Sequence, residues 1–213
     1  MTGSGSNFAR GAPIIVSLGL ALSLLSPIKG YGESADPAAS RINSFYGALL
    51  DTMKQAKQLG LKGRYDRLAP VLAKTYDVAS MSRIAVGQSW NTLSATQQLS
   101  ITHAFARMTT ATYASRFDGF SGEEFEILQT ADRPNGDKIV KTRIVQSNGK
   151  PVALNYLMHK TGTDWKIVDV YLDGTISELA SRRAEFGAIL KSGGPDALVS
   201  SLLKRGDKLL AGS

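Results

Sequence analysis

The sequence predicts an α+β fold, a curved antiparallel four-stranded sheet wrapped by helices, in a single domain that follows a signal peptide. Apolar residues recur at helical spacing over 40–117, follow strand patterns over 123–172, and return to helical spacing over 175–210. Helices, then strands, then helices are typical of an α+β domain, and the chain is long enough for one core. We therefore expect a signal peptide at 1–32 and one domain at 33–213.

The amino terminus predicts export. Residues 14–25 (IIVSLGLALSLL) form an apolar run after Arg10 that is too short to span a bilayer but has the length of a signal-peptide core. The small residues that end at Gly32 predict cleavage between Gly32 and Asp36. A retained membrane anchor is the alternative, which the shortness of the run disfavours. We therefore expect the mature protein in the periplasm.

Composition narrows the choice of partners. The chain has 213 residues, no cysteine and a formal net charge of +7. Its basic residues do not form a run interleaved with aromatic residues, so we expect no nucleic-acid partner. The positive charge favours encounter with anionic lipid headgroups or with an acidic protein surface. An ordinary basic surface would explain this charge equally well.

Helix boundaries are predicted from local signals. The first helix has six apolar residues on one face, which are Ile42, Phe45, Tyr46, Leu49, Leu50 and Met53. Gly60 interrupts the helical pattern that follows. Asp77 can cap a further helix, and Ser94 with Gln97 forms a capping box that opens a longer one. Near the carboxyl terminus, residues 193–195 (Gly-Gly-Pro) separate two helices.

Two short turns predict how the strands pair. With residues 148–149 (Asn-Gly) and 161–162 (Thr-Gly) as two-residue loops, Arg143 and Asp169 both face Leu154 from the neighbouring strands. One face of the sheet then holds Val152, Leu154, Tyr156, Met158, Trp165, Ile167 and Tyr171. The other face holds Val140, Ile144, Ala153, Leu157, Val168 and Val170. One extra residue in the second turn would exchange the faces of the last strand.

Several stretches of the chain carry a family resemblance. They are residues 165–186 (WKIVDVYLDGTISELASRRAEF) and the earlier segments GQSW, LSATQQ and HAFARMTTATYASRF. Their order resembles the Mla, or toluene-tolerance, family of periplasmic lipid carriers, and the segment DGTISEL resembles its hopanoid-associated branch most closely. The resemblance implies a carrier that shuttles a phospholipid or hopanoid-like lipid between the inner and outer membranes without a cofactor. It also implies two partners, an inner-membrane ABC transporter complex and an outer-membrane lipoprotein or porin complex.

The sheet is apolar on both faces, and the face with the larger side chains suits a deep cavity. Together with the resemblance, this predicts a lipid-binding cavity lined by Met81, Ile84, Phe105, Met108, Val152, Leu154, Tyr156, Met158, Trp165, Ile167, Tyr171 and Ile176. An ordinary two-sided core is the alternative. Arg143 and Asp169 flank Leu154 and are expected at the mouth, near a headgroup, although solvated strand ends would explain them too.

The sequence shows no recognisable catalytic constellation. His103 and His159 lie in no metal-ligand spacing, and there is no GxSxG nucleophile elbow, so we expect no enzyme, no metal site and no cofactor. The enzymatic alternative is a cone-shaped cavity like that of ketosteroid isomerase, with Asp169 beside Tyr156 as a general base. Bound lipid without turnover would distinguish a carrier from such an enzyme.

Overall fold

The structure is a computed structural model that describes residues 36–212. The predicted signal peptide lies outside the described residues. The described elements are, in chain order, α1 (Pro37–Lys54), α2 (Ala56–Thr75), α3 (Val78–Val86), a 3₁₀ segment (Gly87–Thr92), α4 (Ala95–Arg116), β1 (Glu124–Asp132), β2 (Lys138–Val145), β3 (Pro151–Thr161), β4 (Asp164–Leu172), β5 (Ile176–Ser177) and α5 (Glu178–Leu210). Within this described range, no helix has both the length and the apolar character that a membrane span requires.

The predicted α+β architecture is confirmed. The strands form one antiparallel sheet in the order β1-β2-β3-β4-β5. Four long strands match the prediction, whereas the two-residue β5 was not predicted. It follows a tight turn in which Asp173 and Gly174 have φ values of 49° and 75°. A turn with positive φ at both central residues reverses the chain, so Leu172 pairs with Ile176 and β5 pairs with the end of β4.

The predicted helix boundaries are confirmed where local signals define them. Asp77 caps α3 by accepting a hydrogen bond at 3.0 Å from the backbone N–H three residues later. At the start of α4, the Gln97 backbone N–H donates to Ser94 Oγ at 3.2 Å, and the Ser94 backbone N–H donates to Gln97 Oε1 at 2.9 Å. Gly60 and Gly194 adopt φ values of 62° and 70° and kink α2 and α5. Helix α5 is therefore two helical segments, as predicted.

The predicted register between β2 and β3 is wrong by one residue. Arg143 pairs with Ala153 rather than with Leu154. The hairpin loop contains three residues, 147–149, and Gly149 ends it with a φ of 78°. A three-residue loop of this kind requires a left-handed residue at its last position, which glycine provides. The extra loop residue shifts the pairing by one and exchanges the faces.

The predicted register between β3 and β4 is also wrong. The loop lies one residue later than predicted, at 162–163, and the pairing shifts again at Val168, which forms a β-bulge. Leu154 therefore pairs with Leu172 rather than with Asp169. A bulge places two residues opposite one, so it changes which side chains share a face beyond that point.

Together these shifts determine the composition of the face that the helices cover, which we call the inner face. Val140, Tyr156 and Val170 form one row across β2, β3 and β4. The prediction that Val140 and Val170 lie on the other face of the sheet from Tyr156 is therefore wrong. All three side chains are buried. Helix α1 contacts β1, β2 and β4, and α2, α3 and α5 contact β4.

Candidate functional site

A cavity of about 140 Å³ lies between the inner face and the helices. We call it the inner cavity. The sheet contributes Leu154, Val170 and Leu172 to its wall. Helix α4 contributes the longest wall, which consists of Phe105, Met108, Thr109, Thr112, Tyr113, Arg116 and the following Phe117. From Phe105 to Phe117 this wall extends for roughly 18 Å along the helix axis.

The inner cavity changes from apolar to charged along its length. Met81, Phe105 and Met108 line its buried part, with exposed fractions of 4%, 3% and 2%. Arg116, at the end of α4, is exposed, and the first two turns of α5 add Glu178 and Arg182 to the lining. A cavity with an apolar body and a few polar groups at one end suits a ligand with an apolar part and a polar end.

The two arginines of the cavity lining differ in their partners. Arg182 donates to Glu178 at 2.6 Å and to Glu185 at 3.0 Å, so α5 neutralises its charge. Burial alone would raise the pKa of Glu185, but the hydrogen bonds and charges of Arg205 and Arg182 lower that pKa overall. Arg116 forms no ion pair with any carboxylate in the described part of the chain. Its positive charge is therefore available to an anion.

Tyrosine hydroxyls bond to one another beside the inner cavity. The hydroxyls of Tyr76 and Tyr113, which both line the cavity, form a hydrogen bond. Burial raises the pKa of both side chains, so both are neutral near pH 7. Deeper in the core, the Tyr46 hydroxyl donates to the Tyr156 hydroxyl at 3.2 Å. Burial raises the pKa of Tyr46 to about 12. None of these four groups presents an ionised oxygen to a ligand at neutral pH.

The structure brings together part of the set of lipid-contacting residues that the sequence predicts. Those that line the inner cavity are Met81, Phe105, Met108 and Leu154. Those that are buried in the core away from the cavity wall are Tyr156, Met158, Trp165 and Ile167. Val152 and Tyr171 are half-buried and lie outside the wall. Ile84 and Ile176 are 42% and 53% exposed and also lie outside it.

Arg143 and Asp169 do not form a charged row at the cavity mouth, because the two register shifts separate them. Arg143 is exposed, and its Nε donates to Glu126 on β1 at 2.6 Å. The buried Asp169 carboxylate accepts hydrogen bonds from Ser177 Oγ at 2.6 Å and from the Leu179 backbone N–H at 3.1 Å. Asp169 therefore holds the start of α5 against β4.

The same contacts disfavour the ketosteroid-isomerase-like alternative. Both oxygens of Asp169 accept hydrogen bonds from groups of the protein, and Tyr156 lies opposite Val170 rather than Asp169. A general base needs an oxygen that can reach a substrate proton. Among the described residues, no group of three His, Cys, Asp or Glu side chains could hold a metal ion.

The site also contains residues that the sequence analysis did not select. Arg116 and Thr112 follow Met108 at intervals of four residues on α4. Extending the apolar stripe of this helix by two turns would have found them, because residues four apart share a helix face. Tyr76 follows Leu68 and Leu72 at intervals of four residues, but it lies just beyond the end of α2 at Thr75, and the spacing alone does not show that it lines the cavity.

The fold and cavity define a class of α+β proteins that enclose a small amphiphilic molecule between a sheet and its covering helices. The sequence model of the MlaC protein family matches residues 43–204, and the chain belongs to this family. MlaC proteins are non-enzymatic lipid carriers, typically periplasmic, which confirms that the chain is not an enzyme. The predicted family is thus confirmed, whereas the hopanoid-associated branch stays a prediction.

A solved structure with the same fold is the phospholipid-binding protein from Ralstonia solanacearum, in complex with a phospholipid. The two chains share 22% sequence identity and superpose with a TM-score of 0.72. The alignment covers 82% of this chain and 99% of the Ralstonia chain. A search of curated proteins gives no significant match.

Proposed function

We propose that this protein is a periplasmic carrier that binds the acyl chains of a phospholipid in the inner cavity and moves the lipid between the inner and outer membranes. The observation that carries the proposal is the change along α4 from the buried Phe105 to the exposed Arg116. Each methylene transferred from water into such a cavity contributes about 0.8 kcal/mol, so a protein that encloses even part of a chain eases its passage through water.

Arg116 supports the choice of a phospholipid. A phosphodiester carries one negative charge, and a guanidinium can bind two phosphate oxygens at once. Arg182 is less available for this role, because Glu178 and Glu185 already neutralise it. The bound phospholipid of the Ralstonia protein, which has the same fold, supports the same class of cargo.

A hopanoid-like lipid is the second candidate cargo. Its support is the segment 173–179 (DGTISEL), which resembles the hopanoid-associated branch of the family. Such a lipid is a rigid polycycle without a phosphodiester, so its binding would not depend on the charge of Arg116.

Family membership supports the remaining parts of the proposal. The carrier would receive and deliver lipid at an inner-membrane ABC transporter complex and at an outer-membrane lipoprotein or porin complex. Export would depend on the predicted signal peptide at 1–32, with cleavage between Gly32 and Asp36. Amino-terminal sequencing of the periplasmic protein tests the cleavage, and a chain that began at Met1 would contradict it.

Native mass spectrometry of gently purified protein, followed by identification of the extracted lipid, tests the proposed function. We expect a bound phospholipid, and repeated preparations that contain only the bare polypeptide would contradict the proposal. We expect Arg116→Gln to lower phospholipid occupancy. Arg133→Gln is the matched control, because Arg133 is an exposed arginine in the β1–β2 turn that lines no part of the inner cavity. Equal phospholipid occupancy in both variants would remove Arg116 from headgroup binding, and a co-purified polycyclic lipid would favour the second cargo.

A further inference from the structure

The hydrogen-bonded pair of Tyr76 and Tyr113 contains one proton more than it uses. Burial raises the pKa of both side chains, so each hydroxyl keeps its proton at neutral pH. Each hydroxyl can donate one hydrogen bond, and the bond between the two hydroxyls uses only one proton. Among the described residues, neither hydroxyl has a further hydrogen-bond partner. One O–H group of the pair is therefore free to donate to a molecule in the inner cavity, whose wall includes both tyrosines.

The deeper hydroxyls of the core differ, because their chain ends on an acceptor. The hydroxyls of Tyr46, Tyr156 and Thr142 bond to one another. The chain ends at the Leu154 backbone carbonyl, which accepts from Thr142 Oγ1. Within the part of the chain that the structure describes, the Tyr76–Tyr113 pair reaches no such carbonyl. Leaving a buried donor without an acceptor is unfavourable, so the pair favours a cavity occupant that supplies one.

Thr109 supplies a second unused donor beside the pair. Three other threonines of α4, which are Thr102, Thr110 and Thr112, donate to the carbonyl four residues earlier. The Thr109 hydroxyl makes no hydrogen bond to any described residue, and its half-buried side chain lines the inner cavity. Residues four apart share a helix face, so Thr109 lies one turn from Tyr113 on the cavity side of α4.

The unused donors lie between the cation and the apolar part of the inner cavity. Along the axis of α4, Tyr113 is roughly 4.5 Å from Arg116, and Thr109 is roughly 6 Å further. Phe105 and Met108 follow at the buried end. From the exposed end inward, the wall therefore offers a positive charge, hydroxyl donors and hydrocarbon. A glycerophospholipid presents its groups in the matching order, which is a phosphodiester, two ester carbonyls and the acyl chains.

We propose that the Tyr76–Tyr113 pair and Thr109 form a binding site for the ester carbonyl groups of a glycerolipid, and that this site makes the carrier select ester-linked over ether-linked lipids. The inference rests on the proposed function, since it adds a specificity to the same class of cargo. An ester carbonyl oxygen accepts the hydrogen bond that the unused donors need. An ether-linked lipid has no carbonyl oxygen, so it leaves these donors without that acceptor.

Two phosphatidylcholines with the same headgroup and chain length, one ester-linked and one ether-linked, test this specificity. Each is titrated into delipidated protein from the periplasm. The variant must be the double substitution Tyr76→Phe and Tyr113→Phe, because either single substitution would leave one O–H group free. Replacing both partners of a hydrogen bond with apolar groups of the same shape can be nearly neutral for folding. Thr109→Val removes the second donor, and Tyr171→Phe, outside the cavity wall, is the matched control.

We expect the wild type to bind the ester-linked lipid about tenfold more tightly than the ether-linked one, which corresponds to one net hydrogen bond. The ratio of the two affinities should fall to about one in the double variant, fall less in Thr109→Val and stay unchanged in Tyr171→Phe. Equal binding of both lipids to the wild type, or an unchanged ratio in the double variant, would overturn the ester site. An unchanged ratio in Thr109→Val would remove Thr109 from it. Wild-type protein that binds neither lipid would instead overturn the proposed function.

The carbonyl stretching band of the bound lipid tests the contact directly. A hydrogen bond to a carbonyl oxygen lowers the stretching frequency of that carbonyl. With an ester-linked lipid that is isotope-labelled at its carbonyl carbons, we expect the infrared band to lie at lower frequency in the wild type than in the double variant. Spectra are compared at equal lipid occupancy. The same band position in both proteins would overturn the contact between the tyrosine pair and the ester.

Discussion

Two parts of the inner face differ in how fully they are packed. Phe45, on the buried side of α1, packs against four tyrosine rings at centroid distances of 5.6–6.4 Å. One of these rings is that of Tyr156, which lies at the centre of the sheet with 1% exposure. Under α4 and α5, Leu154, Val170 and Leu172 face the inner cavity instead of closely packed side chains. The α1 part is a filled core, whereas the α4–α5 part leaves space for a ligand.

The difference indicates where the stability of the domain originates. If it were dry and closed, an empty cavity of about 140 Å³ would cost about 3 kcal/mol at roughly 24 cal/mol per Å³, which is an upper limit for a cavity that opens to solvent. The filled part under α1 must offset this cost in the ligand-free protein. Shortening a side chain in the filled part should therefore lower the stability of the fold. Shortening a side chain along the cavity should affect lipid binding more than folding.

The largest expected effect is that of Phe45→Ala. Phe45 is 1% exposed and contacts four rings, so the substitution should lower the free energy of unfolding by about 3–5 kcal/mol. Leu172→Ala, at the half-buried cavity wall, is the matched truncation and should lower it by less. Urea unfolding of both variants measures the difference. Equal losses would show that the two parts are equally important for folding.

Asp169→Ala should have the next largest effect, because it removes the acceptor that joins β4 to the start of α5. The buried Leu179 N–H and the Ser177 hydroxyl would both lose a partner, at a combined cost of about 2–3 kcal/mol. Asp169→Asn, which keeps one carbonyl oxygen as an acceptor, should lose much less. Thermal melting measures both variants. A stable Asp169→Ala protein that only loses lipid would restore the predicted role of Asp169 at the cavity mouth.

The features of the fold that were predicted correctly depend on interactions between residues that are close in sequence. The caps formed by Asp77 and Ser94 involve residues three positions apart, so the sequence alone contains the interaction. Strand register depends on the length of a loop and on a bulge at Val168, which no local pattern reveals. The later loop and the bulge together moved the partner of Asp169 from Leu154 to Leu157, and Asp169 from the expected mouth to the start of α5.

The candidate site was predicted best where a helix supplies it. Phe105 and Met108 follow helical spacing and line the cavity, whereas Val152 shares a face of β3 with Leu154 but lies outside the cavity wall. Tyr76 was missed because its place in the cavity wall depends on how the end of α2 packs against α4 and the sheet, which is a long-range property.

Substitutions at Leu154 and Val152 compare a position in the cavity wall with a nearby position on the same strand. Leu154 lines the inner cavity, and Val152, two residues earlier, does not. Leu154→Gln should weaken phospholipid binding by about tenfold, because an amide without a partner would face the acyl chain. Val152→Gln should leave binding close to that of the wild type. The lipid titration is accompanied by circular dichroism, and equal loss in both folded variants would contradict the observed wall.

The smallest expected effect, and the one most specific to the filled part, is that of Tyr46→Phe. Its hydroxyl bonds to Thr142 Oγ1 at 2.5 Å and to the Tyr156 hydroxyl at 3.2 Å, so its removal should cost about 1 kcal/mol at neutral pH. Burial raises the pKa of Tyr46 to about 12, against a usual value of about 10.

Between these two pH values the unfolded chain releases the Tyr46 proton and the folded protein retains it. The folded state then binds more protons, so the stability from this group is fully present below pH 10 and is lost as the pH rises towards 12. The stability advantage of the wild type over Tyr46→Phe should therefore shrink over that range. Leu172→Ala, which changes no titratable group, is the control, and its difference from the wild type should stay constant. A Tyr46→Phe protein whose unfolding free energy declines in parallel with that of the wild type would show that Tyr46 is not the group that senses pH, and that the filled part admits water at its centre.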